Sequence, residues 1–291
     1  MVEVHKIRGP DLICAGAPKA ATTSIFESLI EVGLAKQNIK EFNYFSRECV
    51  NHTGYYGDAR EWTKSKYEGE MSRKKSELNL DFSPSYFSCP STPIKIKTNY
   101  PNVRILFVLR NPIERAFSHY MMDKRLNLVD FDLSEIIDEE IEPYYSEYVE
   151  NSKYLTNLNR YFQVFDKDSI LILSIEDLRR DFQESMRCIM KHIGVTEKYN
   201  FDVKKRNENR FYRNAFFKFL ATNNFAKGLY RMLPAKNLIN KIVYQKNLGN
   251  TGIRPTQKLK ILLSDDCDLF EDISNLPVPE RSSFVYSKKF N

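Results

Sequence analysis

The chain lacks several of the features by which a sequence usually declares its class. Its five cysteines, Cys14, Cys49, Cys89, Cys188 and Cys267, are odd in number and widely spaced, and they form neither a Cys-x-x-Cys pair nor the framework of a small secreted disulfide scaffold. They read as reduced thiols in a cytosol, so the expected localisation is cytoplasmic. No early apolar stretch approaches the roughly 20 residues of a membrane span, and residues 1–10 lack the apolar core of a signal peptide. Solenoid-period repeats and low-complexity tracts are also missing. Acidic residues are slightly outnumbered, 38 against 44 Lys and Arg. That balance favours an anionic partner, such as a phosphorylated cofactor or an acidic glycan, but it is too weak for a duplex-binding domain, so nucleic acid is not expected.

With 291 residues and 42% hydrophobic content, the chain can bury one large core, and a single domain over 1–291 is expected. Asp11 to Ala15 is a short apolar run ending at Gly16. From Thr22 to Val32, Ile25, Leu29 and Val32 recur at helical spacing. This predicts strand, tight loop, helix. Leu78–Asp81 and Val103–Leu109 are further strand candidates, with a helix at Thr92–Asn99 between them, and Pro112 opens another helix at its first turn. Ser169–Ser174 repeats the pattern and is followed by an amphipathic segment from Ile175 to Ile193. Strands alternating with helices predict an α/β fold, a central parallel sheet covered by helices on both faces, with ligands at the carboxyl ends of the strands. Residues 1–210 form the expected nucleotide-binding core and 211–291 a C-terminal helical cover. In that cover an aromatic and basic helix-like stretch runs from Phe211 to Met232, Pro234 breaks it, and a further helix spans Thr256–Leu276.

Gly16-Ala-Pro-Lys19-Ala-Ala-Thr-Thr-Ser24 joins the first strand to its helix, a position where backbone N–H groups and the helix dipole bind phosphate. Lys19 adds a charge, the amides of Ala20, Ala21, Thr22, Thr23 and Ser24 add donors, and the alternative is an ordinary helix start with a surface lysine. No Gly-Lys-Ser/Thr ends the loop, so the usual magnesium arrangement of a nucleoside-triphosphate loop is lost and no metal is expected. Leu109-Arg110-Asn-Pro112-Ile-Glu-Arg115-Ala-Phe-Ser118-His119-Tyr120 lies just past an apolar strand. There Arg110 can fork onto a phosphate and Ser118 can donate to the same group, while Arg115 reads equally well as structural.

Pro18 to Thr23 resembles the Pro-Lys-x-Gly-Thr-Thr loop of the 3′-phosphoadenosine 5′-phosphosulfate (PAPS)-dependent sulfotransferases, with Ala21 where that family has glycine. The Arg110 segment resembles the family's 3′-phosphate motif at full length. Lys40-Glu41-Phe-Asn43-Tyr-Phe45 is similar to the Lys-Glu-x-x-Phe-Phe segment of the carbohydrate branch, heparan sulfate enzymes included. The resemblance implies a P-loop-like three-layer fold, PAPS as donor, a carbohydrate or glycolipid acceptor and Glu41 as general base. It also implies Lys19 on the 5′-phosphosulfate, and Arg110 and Ser118 on the 3′-phosphate. Asp81-Phe-Ser83-Pro84-Ser-Tyr86 is similar to the branch's Glu-Lys-Ser-Pro-x-Tyr, with Phe82 in place of lysine. Ser152-Lys-Tyr154-x-x-x-Leu158 is similar to its Gly-x-Tyr-x-x-x-Leu helix. Arg206-Asn207 through Arg213 stands where basic residues close over the 3′-phosphate, and Arg213 is assigned to the cofactor.

Alternatives stay open on the sequence. The Lys40–Glu41 neighbours also read as a surface ion pair, and His52 is the rival base among four histidines. The aromatic stretch after Arg213 reads as core cover, with a membrane or lipid-linked acceptor as the lesser reading. Other functions with the same motifs are an aryl or small-molecule sulfotransferase, a kinase with a variant phosphate loop that needs a divalent metal, and a catalytically idle glycan-binding protein.

Overall fold

The computed structural model describes residues 9–35, 39–50, 62–71, 78–126, 128–201, 210–212, 244–246 and 255–288. Its sheet is built from β1 (Leu12–Gly16), β2 (Leu80–Phe82), β3 (Arg104–Leu109) and β4 (Ile170–Ser174), all parallel, in the order β2-β1-β3-β4. The strands are almost wholly buried because helices cover both faces, which is why they read as continuous apolar runs. The helices are α1 (Thr22–Glu31), α2 (Arg47–Val50), α3 (Lys64–Met71), α4 (Thr92–Asn99), α5 (Pro112–Leu126), α6 (Leu133–Asp138), α7 (Tyr144–Tyr148), α8 (Tyr154–Phe162), α9 (Ile175–Arg180) and α10 (Phe182–His192). After the hairpin strands β5 (Arg210–Tyr212) and β6 (Tyr244–Lys246) come α11 (Gln257–Leu262), α12 (Ser264–Asn275) and α13 (Val278–Lys288).

Side chains alternate across the sheet with period two. Ile13, Ile105, Phe107 and Ile172 face α8, α12 and α13, where Leu158, Tyr161, Leu269 and Val285 meet them. Leu12, Cys14, Leu106 and Val108 face α1 and α10, against Ile25, Leu29, Met186 and Ile189. A third cluster joins α5, α6, α7 and α11 through Ala116, Tyr120, Ile136, Tyr148 and Leu259. The result is the expected three-layer α/β arrangement. In this strand order the crossovers diverge between β1 and β3, the crevice where ligands settle in doubly wound sheets.

Several expectations need correcting. The amphipathic segment from Ile175 to Ile193 is two helices, because Asp181 is extended (φ −150°) and accepts a hydrogen bond from Glu184 N, capping α10. Thr256–Leu276 divides likewise at Leu263. Phe211 and Tyr212, expected in a helix, pair antiparallel with Gln245 and Tyr244, and the remainder of Phe211–Met232 lies outside the described residues. The cysteines are not all reduced. Cys49 and Cys89 form a disulfide with Cα atoms 5.8 Å apart, while Cys14, Cys188 and Cys267 are free. Spacing along the chain says nothing of this pairing, because it is folding that brings the two Cα atoms within bonding range. No helix among the described residues is long and apolar enough to cross a membrane.

The C-terminal helices are locked onto the core by a buried ion pair. Arg281 on α13 forks onto both carboxylate oxygens of Asp177, and both side chains are almost fully buried. Asp177 also accepts from Ser174 N and Oγ in the capping box that starts α9. Burial pushes its pKa up, but the Arg281 and Ser174 hydrogen bonds outweigh burial and hold it below the usual carboxylate value. Ser282 Oγ donates to Ile170 O at the start of β4. Arg281→Ala, which strands a buried carboxylate, is expected to cost about 3–5 kcal/mol, read as a fall in Tm with the nucleotide absent.

Candidate active site

The loop leaving β1 begins at Gly16 (φ +149°), where a Cβ would stand 2.6 Å from the Phe87 side chain, so only glycine fits this close approach. Lys19 (φ 68°) and Ala21 (φ 63°) are both left-handed. Such turns aim successive amides at an anion, and a non-glycine residue in them costs roughly 1–2 kcal/mol. Ala21, which stands where the resemblance places glycine, thus keeps a glycine-like backbone. It is also the N-cap of α1 and supplies no side-chain cap. The amide of Ser24 donates to Ala21 O at 3.1 Å, which spends one of the five donors expected of this loop.

Lys19 Nζ lies 3.1 Å from the Met122 sulfur on α5, a weak acceptor for an ammonium. Burial first, then Arg125, lower its pKa to about 8. Arg115 and Arg110 push the same way, and Asp123 opposes them. These cations share one corner of the site. Arg110, one residue past β3, pairs with Glu114 through Nε (3.1 Å) and Nη2 (3.0 Å). Glu114 is 55% exposed, so the pair is weak. The backbone at Arg110 is held by Tyr154, whose hydroxyl donates to Arg110 O at 2.7 Å and accepts from Arg110 N at 3.4 Å. The Ser152–Leu158 segment is therefore a support for the Arg110 backbone.

Ser118 is half-buried on α5. Arg115 is structural: fully buried, it donates to Ser152 Oγ (2.7 Å) and to the carbonyls of Glu147 (2.7 Å) and Tyr148 (2.8 Å). His119 is buried as well, and burial, then Arg115 and Lys19, push its pKa well down, so it stays neutral.

The opposite wall holds Glu41, 40% exposed, with Lys40 Nζ at 2.5 Å from its Oε1. Phe82 N donates to Lys40 O (3.3 Å) and Asn43 N to Ser83 Oγ (3.0 Å), which pins the segment to the carboxyl end of β2. Behind it the buried Asp81 carboxylate accepts from Tyr67 Oη (2.8 Å), Tyr86 Oη (2.8 Å) and Ser83 Oγ (2.5 Å). Burial pushes its pKa up to about 6 despite these three donors, and Glu41 adds to the rise. A cavity of about 580 Å³ is lined by Cys49, Ser88, Ser146 and Asn151 with Glu142, Glu147 and Glu150. Ser88 follows the Phe87 that packs on Gly16. Glu147, which accepts from Asn151 Nδ2 at 2.9 Å, is pushed up to about 7 chiefly by burial.

The fold thus gathers Lys19, Arg110 and the start of α1 at the β1/β3 crevice, with Glu41 on the β2 side. His52, Arg206, Asn207 and Arg213 lie outside the described residues. Sequence reasoning missed Met122 and Arg125; their spacing of four and seven from Ser118 on one helix is the signal that could have found them. It also missed the linchpin role of Asp81.

A parallel sheet in this order, with a phosphate loop after β1 and an arginine at the end of β3, defines a nucleotide-binding α/β transferase of the P-loop-like kind. Residues 10–228 match the sulfotransferase domain family, and the chain belongs to it. It is similar to the membrane-associated sulfotransferase kil1 of Dictyostelium discoideum, 29% identical over 112 residues, which is 38% of this chain and 22% of that protein. It is also similar to the bifunctional heparan sulfate N-deacetylase/N-sulfotransferase 1 of Xenopus laevis, 24% identical over 217 residues, covering 68% of this chain and 24% of that protein. The chain spans less than a quarter of the length of these curated relatives. Among solved structures, the sulfotransferase of Alicyclobacillus acidocaldarius superposes with a TM-score of 0.59 at 25% identity, covering 69% of this chain and 87% of that one.

Lys19 must be protonated to meet a developing anion, so kcat/KM for the nucleotide donor is expected to fall as pH rises through about 8, the pKa of the unliganded enzyme. Lys19→Ala should lose at least about 10²-fold in kcat and abolish that alkaline limb, with nucleotide binding still measurable by calorimetry.

Proposed function

We propose that the protein moves a sulfuryl group from PAPS to a hydroxyl of a carbohydrate or glycoconjugate. The observation that carries this reading is the pairing, in one β1/β3 crevice, of the Lys19 loop with the Arg110 strand end. One nucleotide bearing anions at two positions would engage both. The residues suit it: clustered, partly desolvated cations are relieved by a polyanion. When bound, PAPS supplies an activated sulfuryl group on a phosphate leaving group.

Lys19 and the amides of Ala20 to Thr23 hold the 5′ side, and Lys19 offsets the charge that grows on the leaving oxygen. Arg110 and Ser118 hold the 3′-phosphate, with Arg213 joining from the segment beyond. Glu41 takes the proton of the acceptor hydroxyl. Its pair with Lys40 is exposed, so a hydroxyl can replace the ammonium at little cost. The heparan sulfate relative supports a sugar acceptor, and the polar cavity at Cys49, Ser88 and Asn151 is offered as its pocket. With Glu142, Glu147 and Glu150 in its wall, that cavity favours a neutral or amino-bearing sugar over a polyanionic chain.

The test is mass-shifted product from PAPS and a panel of neutral, amino and uronate glycans, assayed in chelator. Transfer is expected without divalent metal and best to the neutral or amino members; a strict metal requirement would point to phosphoryl transfer instead. Glu41→Gln should keep its fold and nucleotide affinity yet lose roughly 10²- to 10⁴-fold in rate. His52→Ala should stay within a few-fold of wild type. The reverse outcome for the two variants moves the base to His52.

A further inference from the structure

The motifs assign Lys19 and Ser118 but leave the rest of the α5 face between them unexplained. Ser118, Met122 and Arg125 follow at i, i+4 and i+7, which places them along one stripe of α5 (Pro112–Leu126). The Met122 sulfur is where Lys19 Nζ rests, at 3.1 Å. The stripe therefore runs from the 3′-phosphate serine, past the Lys19 ammonium, to the half-buried guanidinium of Arg125 one turn further on. Arg125 is tethered through Nε to Met121 O at 3.2 Å. The charged groups acting on Lys19 are Arg125, Arg115 and Arg110 on one side and Asp123 on the other, with neutral His119 nearby; of these charges Arg125 is felt most strongly. Lys19 rests on Met122, and Arg125 stands three residues beyond Met122 on the same face of α5, so two half-buried cations meet one stretch of helix, an arrangement suited to an anion. Arg115 is engaged by Ser152 and two carbonyls, and Asp123 acts on both Lys19 and Arg125.

We propose that Arg125 is a further catalytic residue that binds the non-bridging sulfuryl oxygens of the donor, on the side of Lys19 remote from Arg110. This rests on the sulfuryl-transfer reading. In the transfer the acceptor oxygen bonds to sulfur as the bridging S–O bond breaks, its electron pair staying on the departing phosphate. The acceptor proton goes to Glu41, and Arg125 keeps its charge throughout.

PAPS and its product PAP differ only by the sulfuryl group, so calorimetry without acceptor isolates the contact. Arg125→Ala is expected to weaken PAPS by about 10-fold or more and PAP by less than about 3-fold, because a charge-assisted hydrogen bond is lost only with PAPS. Its kcat should fall by roughly 10²- to 10³-fold, with partial recovery in Arg125→Lys. Removing a cation beside Lys19 should also move the alkaline limb of kcat/KM for PAPS to higher pH, a readout that a merely structural role would not shift. Equal weakening of PAPS and PAP, an unmoved limb, or a change confined to the acceptor KM would each overturn the assignment. If Arg125→Ala melts early, Arg125→Gln carries the same comparison. A wild type that binds neither nucleotide would overturn the sulfuryl-transfer reading along with this one, and the two failures are told apart because only then does the unmutated chain fail.

Discussion

Everything at the β1/β3 crevice turns on holding the Lys19 ammonium partly out of water beside other cations. Burial and Arg125 bring its pKa down to about 8, and its near partner is a thioether sulfur. A folded chain tolerates such a site only where an anion completes it. The same tension appears in the backbone, with Lys19 and Ala21 left-handed in a loop that has no glycine after Gly16. Both costs are carried by the rest of the fold, and the proposed phosphate would offset them.

The supports for that corner come from distant parts of the chain. Tyr154 clamps the backbone of Arg110, and Arg115, unavailable to a ligand, ties α5 to the segment before α8. On the opposite side, Asp81 collects three hydroxyls and through Ser83 and Tyr86 sets the position of the 40–46 segment. The Cys49–Cys89 disulfide joins the end of that segment to the turn whose Phe87 packs on Gly16. The β1/β3 corner gathers cations, and the β2 side holds the Glu41 carboxylate. The proposed transfer between an anionic nucleotide and an uncharged hydroxyl would draw on that division of charge.

Much of this was legible in the residues because its determinants are local. A strand, a phosphate loop and a helix start lie within about twenty residues of one another, and the run from Arg110 to Ser118 needs only one strand end and two helical turns. The α4 bounds, Thr92–Asn99, agree with the periodicity for the same reason. What was not legible is long-range. Arg125 reads as an ordinary cation at a helix C-terminus, where the dipole favours one, and only the fold puts Lys19 beside it. Cys49 and Cys89 stand 40 residues apart, a spacing that encodes no approach of their Cα atoms. The sequence marks Asp81 only as the first residue of a segment similar to Glu-Lys-Ser-Pro-x-Tyr, whereas burial with Tyr67 makes it the hub of a hydrogen-bond network.

In the proposed reading a single nucleotide spans the Lys19 loop and the Arg110 strand end through anions at both of its ends. Calorimetry of the wild-type protein with 3′-phosphoadenosine 5′-phosphate and with AMP tests it most directly, since the two differ only in the 3′-phosphate. The bisphosphate is expected to bind at least about 10-fold more tightly, because AMP leaves Arg110 and Ser118 without their anion. Equal affinities would contradict it.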